Sequence, residues 1–205
     1  MSEPPVLVLI TGWPGAGKSA LADVAGAAPA APRNGVAELQ GVGLSHARTS
    51  CGAAVLGWDW VMGALTPFEP VQQAIGEMDR PTYRAVGWSV LWSLAESELR
   101  RSRSVVLDGV ARAEEIAAGR TLAARYGADS LVVWCECSDA AQHQSRVVGR
   151  QRNIPGWHEL AWLDVAVARD TLERPADVDL VLDATEDWDA NVDRLHQFLA
   201  SGERR

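Results

Sequence analysis

Lysine is almost missing from this sequence: Lys18 stands alone against 18 arginines. A coding bias can move general charge roles to arginine, so the one lysine that remains calls for a chemical reason. The same scarcity excludes an Asn-Lys-x-Asp guanine reader, which would need a second lysine, and "DGVA" at 108–111 lacks the DxxG pattern of a GTPase switch. No run of Lys and Arg forms a groove-binding stripe or a polybasic anchor, and a net charge of -8 repels a polyphosphate backbone. These absences argue against nucleic acid or a membrane as partner and favour a small molecule.

Long apolar runs are missing too. "MSEPP" is acidic and proline-rich where a secretory signal carries positive charge, and "VLVLI" is too short for a span, so a cytoplasmic protein is expected. Cysteine is sparse and odd in number: Cys51, Cys135 and Cys137 lack CxxC spacing and read as reduced thiols. There is no ABC-type signature and no internal repeat. "GLSHA" at 43–47 misses the GxSxG elbow by one glycine, and "HELAW", opening with His158 and Glu159, lacks the second histidine of a zincin. Hydrolase and zinc chemistry are set aside. With 205 residues, 47% of them hydrophobic, a single domain over 1–205 is expected, without room for the helical domain of a ring-forming ATPase.

What is present is alternation. Val- and Leu-rich runs at 6–11, 53–57, 105–108, 130–137 and 178–182 read as strands, most of them separated by helical period. Apolar strands between helices predict a parallel sheet covered on both faces. The longest helix is expected over 81–101, with Pro81 in its first turn and Trp88, Trp92, Ala95 and Leu99 as its buried stripe. Others are expected over 113–126, 158–171 and 188–200, and one opening at Asp139, where "DAAQ" has the form of a capping box with Gln142 reaching back. Residues 25–52, rich in Ala, Gly and Pro, show no period and read as a long, poorly ordered insertion.

The lysine finds its reason in "GWPGAGKS", residues 12–19. Gly12, Gly17, Lys18 and Ser19 satisfy GxxxxGK[ST], with a strand before and a helix after. The pattern predicts a nucleoside triphosphate cradle built from Gly12, Pro14, Gly15, Ala16, Gly17, Lys18, Ser19 and Ala20. Backbone N–H groups turn onto phosphate oxygens at a helix N-terminus, Lys18 reaches the β and γ phosphates, and Ser19 offers its hydroxyl to Mg²⁺.

Phosphoryl transfer further needs a held acceptor, a base and positive charge on the migrating group. Asp59, in "LGWDWVM" after the second strand, is the candidate base and acceptor contact; its alternative is an N-cap for the helix of "WVMGAL". Asp108 ends the third strand, where a carboxylate suits a cation, a Mg²⁺-held water or a substrate hydroxyl. Arg112 either clamps the acceptor or is a solvated helix start. Arg146 and Arg150, four apart, share a face if helical and with Arg152 form a cationic cluster: a lid over the phosphates, or a solvated basic face. Trp13, with Trp58, Trp60 and Trp157, either shapes an apolar acceptor pocket or belongs to the core.

"GWPGAGKS", Asp59, "VVLDG" with Asp108, and the arginine pair together resemble the P-loop kinases that include chloramphenicol phosphotransferases, zeta-type toxins and the kinase domain of phage polynucleotide kinase. The resemblance covers 6–25 and about 53–185. Within that group "GWDWVMGAL", "MDRPTYRAVGWS" and "RNIPGWHEL" are similar to uncharacterised ATP-binding proteins. It implies an α/β P-loop fold with a five-stranded parallel sheet of order 2-3-1-4-5, ATP with Mg²⁺, a base at Asp59, and adenine between the lid and residues 183–186. The sequence departs from that group at 25–52, a stretch its members cross in far fewer residues. The expected activity is ATP-dependent transfer of the γ-phosphoryl group to a hydroxyl of a small molecule. The alternatives are a regulatory ATPase without such an acceptor, and a toxin or nucleic-acid 5′-hydroxyl kinase.

Overall fold

A computed structural model describes residues 4–27 and 52–201. Five strands, β1 (Val6–Gly12), β2 (Ala54–Gly57), β3 (Val105–Asp108), β4 (Asp129–Glu136) and β5 (Leu180–Asp183), form one sheet of order β2-β3-β1-β4-β5. Every pairing is parallel, as the apolar strand runs predict. The helices are α1 (Lys18–Ala27), α2 (Trp58–Leu65), α3 (Glu69–Gly76), α4 (Arg80–Leu99), α5 (Ala113–Arg125), α6 (Ala140–Val147), α7 (Trp162–Thr171) and α8 (Trp188–Ser201).

The period-2 alternation of the strands divides the core in two. Leu7, Leu9, Val105, Leu107 and Val132 face α4 and α5, meeting Trp88, Leu91, Ala95, Leu99 and Ile116. Val8, Ile10, Val106, Val133 and Leu182 face α1 and α8, meeting Leu21, Ala22, Ala25 and Leu195. Trp92 is only half-buried and stacks on Trp88 at 5.0 Å, while Leu91 takes the fully buried place in the α4 stripe. Register then decides where chemistry can gather: Ile10 lies opposite Asp108, Gly57 opposite Asp108, and Gly12 opposite Cys135. The carboxyl ends of all the strands therefore reach one edge of the sheet, where parallel α/β folds place their ligands.

Several expectations are corrected at their boundaries. Helix α1 continues through Ala27, so 25–27 are helical; the rest of the expected insertion, 28–51, lies outside the described residues, together with Cys51. Helix α3 was not expected, because none of its residues is buried and it has no core-facing stripe to read. Helix α7 starts at Trp162 rather than at His158. Asp139 does cap α6, accepting from the Gln142 backbone N–H at 2.8 Å. That helix stops at Val147, and Val148 is extended with Gly149 at φ +75. Arg146 and Arg150 are therefore not two residues of one helical face. Cys135 and Cys137 are buried free thiols, and burial pushes Cys135 up to about 12.

Candidate active site

β1 delivers its chain straight into the phosphate loop, and two glycines are required there by what surrounds them. A Cβ on Gly12, at φ +127, would lie 1.9 Å from the Cys135 carbonyl oxygen of β4. One on Gly15, at φ +84, would lie 2.6 Å from the Val147 side chain and 3.1 Å from the His143 ring, because α6 rests directly on the loop. His143 is fully buried and its Nε2 is 2.8 Å from the Pro14 carbonyl. Lys18 opens α1, buried, with Nζ donating to the Trp13 carbonyl at 2.9 Å. Burial lowers its pKa, and Asp108 opposes that shift.

Asp108 and Ser19 meet directly, the hydroxyl donating to Oδ2 at 2.6 Å. Burial raises the Asp108 carboxyl above the usual range, against the pull of Lys18 and of the Ser19 hydrogen bond. The loop beyond Asp108 is held by Thr11, buried on β1: its Oγ1 accepts from the Ala111 N–H at 2.7 Å and donates to the Ala111 carbonyl at 3.2 Å. A hydroxyl and a carboxylate side by side suit Mg²⁺, which keeps most of its waters and takes phosphate oxygens rather than a protein cage. Among the described residues no group of three or more His, Cys, Asp or Glu could hold a metal ion.

Asp59 lies in the first turn of α2, whose N-cap is Gly57, so the capping alternative does not hold. Its carboxylate instead receives Arg152 Nη1 in an ion pair. Arg152 is held from a second side by Glu159, with Nε to Oε2 at 3.1 Å and the Arg152 backbone N–H to Oε1 at 2.6 Å. Burial works against the guanidinium charge, but the two carboxylates keep its pKa above the ordinary arginine value. The third nitrogen, Nη2, is buried without a partner. Glu159 belongs to the "HELAW" stretch set aside as a zinc motif. Its link to Arg152 spans seven residues of irregular chain, a separation that carries no periodic signal.

These groups share one cavity of about 330 Å³. Pro14, Gly15, Gly17, Lys18, Ser19 and Ala20 form its floor; Asp59, Asp108, Gly109 and Val110 form one wall. Arg146, Arg150, Arg152 and Leu160 close the other. Arg146 and Arg150 thus both line the cavity with the cradle, Arg146 from the last turn of α6 and Arg150 from the loop beyond it. Gly12 lies beneath the cradle, and Ala16 lines a smaller neighbouring cavity of about 30 Å³ with Leu21, Leu182, Ala184, Trp188 and Asn191. Arg146 borders both cavities and donates to the Ala184 carbonyl at 2.6 Å. This is where the resemblance implies adenine.

Two expected contacts do not reach the cavity. Arg112 is exposed ahead of α5, its backbone N–H donating to Glu115 at 2.8 Å. Trp13 turns away from the cradle, its Nε1 donating to the Leu172 carbonyl at 3.2 Å and its ring stacking on His143 at 6.2 Å. Arg169 lies over the same ring at 4.8 Å and donates to the Cys137 and Ser138 carbonyls, each at 2.6 Å. Trp13 therefore ties the phosphate loop to α6 and α7. Trp58 and Trp157 pack edge to face at 5.6 Å, and Trp60 is exposed. None of the four lines the cavity.

A family model described as an AAA domain matches residues 7–175, from β1 to just past α7. The chain belongs to that AAA domain family. Among the described residues of this family member, β5 is followed by the single helix α8. Solved structures with the same P-loop kinase-like fold include a sugar kinase from Janibacter sp., 14% identical, with a TM-score of 0.61 over 99% of this chain and 100% of that one. They also include the APS kinase of Mycobacterium tuberculosis in complex with AMPPNP and APS, 17% identical, with a TM-score of 0.53 over 97% and 99%. No curated protein matches the sequence. Among the described residues no helix is long and apolar enough to cross a membrane.

Proposed function

We propose that this AAA domain protein is an ATP-dependent kinase that transfers the γ-phosphoryl group to a hydroxyl of a small molecule. One observation carries the reading: the phosphate cradle and a carboxylate at the next strand end, Asp59, open onto the same cavity. A switch or a regulatory ATPase needs only the first of these. Lys18 and the loop N–H groups hold the β and γ phosphates, and its buried position strengthens that contact by excluding water. Ser19 and Asp108 would hold Mg²⁺, which when bound would offset the charge of the phosphates. Arg146 and Arg150 neutralise charge on the migrating group. Asp59, steadied by Arg152, accepts the proton of the acceptor hydroxyl as the new bond to phosphorus forms.

The test is single-turnover transfer of labelled γ-phosphate, with enzyme in excess over ATP, across nucleosides, monosaccharides, aminated sugars and hydroxylated antibiotics. Label on an acceptor hydroxyl is expected. Label released only as inorganic phosphate, whatever the acceptor, would favour the regulatory ATPase.

A further inference from the structure

The charges that line this cavity bear on the acceptor. Lys18, Arg146, Arg150 and Arg152 line the cavity against Asp59 and Asp108. Glu159, bound to Arg152 from behind, removes one more positive charge. The excess that remains is a single positive charge, smaller in magnitude than the net negative charge of a Mg²⁺–nucleoside triphosphate. Once the donor half is filled, the acceptor half is left with net negative charge.

Geometry gives the same answer independently. An arginine grips a phosphate, sulfate or carboxylate with two parallel N–H groups of its planar fork. On Arg152, Nη1 is taken by Asp59 and Nε by Glu159, and Nη2 alone is without a partner. With Nη2 itself buried, Arg152 offers the cavity no pair of parallel N–H groups for an anion. Arg150, by contrast, makes no side-chain hydrogen bond or ion pair among the described residues, which leaves it for the transferred phosphoryl group.

Resting on the kinase reading above, we infer that the acceptor is an uncharged or singly cationic polyhydroxy compound, not a phosphate or sulfate ester, and that Glu159 sets this preference by occupying the fork of Arg152. Glu159 is a specificity-determining residue that acts through Arg152 and need not touch the acceptor.

The experiment titrates inorganic sulfate, followed by calorimetry, into protein saturated with Mg²⁺ and a non-hydrolysable ATP analogue, so that the cradle is already full. Wild type is expected to show no saturable sulfate site. Glu159→Gln keeps an oxygen for the Arg152 backbone N–H but loses the countercharge, and is expected to bind sulfate at least about ten-fold more tightly than wild type. Equal saturable binding by both proteins overturns the inference, since Arg150 or Arg152 would then receive anions regardless of Glu159. Binding by neither overturns it as well, since Glu159 would be holding nothing back. No phosphoryl transfer enters the readout, so a protein that transfers nothing still gives one of these results, and the two proposals fail separately.

Discussion

Lys18 is buried in a cradle that withholds water from its ammonium, and its pKa is lowered for that reason. A polyphosphate placed against Nζ would raise it again by supplying the missing countercharge. The sign follows: in the alkaline range, above the lowered pKa of the empty protein, binding must take up a proton, and affinity must fall as pH rises. Titration of ATP in two buffers of different ionisation heat is expected to reveal this uptake, growing as pH rises above the lowered pKa toward the ordinary lysine range. Equal heats in both buffers at every pH would mean that Lys18 is not at the phosphates. The lysine was legible in the sequence because the motif is local: loop, charge and hydroxyl sit within eight consecutive residues. Arg152 was legible only as part of a cationic cluster; its pairing with Asp59 and Glu159 was not, because it comes from folding an irregular segment back on itself.

Among the elements, β1 sets the site twice. Its end delivers the phosphate loop, and one residue earlier Thr11 satisfies both backbone groups of Ala111 across the sheet edge. Thr11→Val keeps the shape but leaves a buried N–H and carbonyl unpaired, which costs about 1–3 kcal/mol. Denaturant unfolding is expected to show that loss, and ATP binding to weaken along with it because Asp108 stands three residues before Ala111. Unchanged stability would mean that the loop has other support. β1, β3 and β4 could be read from the sequence because burial on both faces leaves unbroken apolar runs, and the partly buried edge strands β2 and β5 keep short apolar runs of the same kind. Helix α3 could not, since it buries nothing, and the end of α6 could not, since Gly149 only acts as a stop in the left-handed conformation it adopts. The reading of Arg146 and Arg150 as a helical pair failed for that reason, although both reach the cavity.

At the scale of the whole molecule, the parallel sheet collects at one edge what the sequence scatters over more than a hundred residues: Lys18, Asp59, Asp108 and Arg150 on one cavity. Trp13, His143 and Arg169 fasten that edge to α6 and α7, so the cradle and the arginine-bearing segment are mechanically joined. As proposed above, this cavity transfers phosphate to an acceptor instead of only holding a nucleotide. This is tested most directly by comparing wild type with Asp59→Asn in single-turnover transfer of the γ-phosphoryl group from ATP to the best acceptor found. ATP-induced thermal stabilisation serves as the control for an intact fold and cradle. Asp59→Asn is expected to keep the stabilisation and to lose transfer by about 10²- to 10⁴-fold. Transfer undiminished in the variant would contradict the proposal.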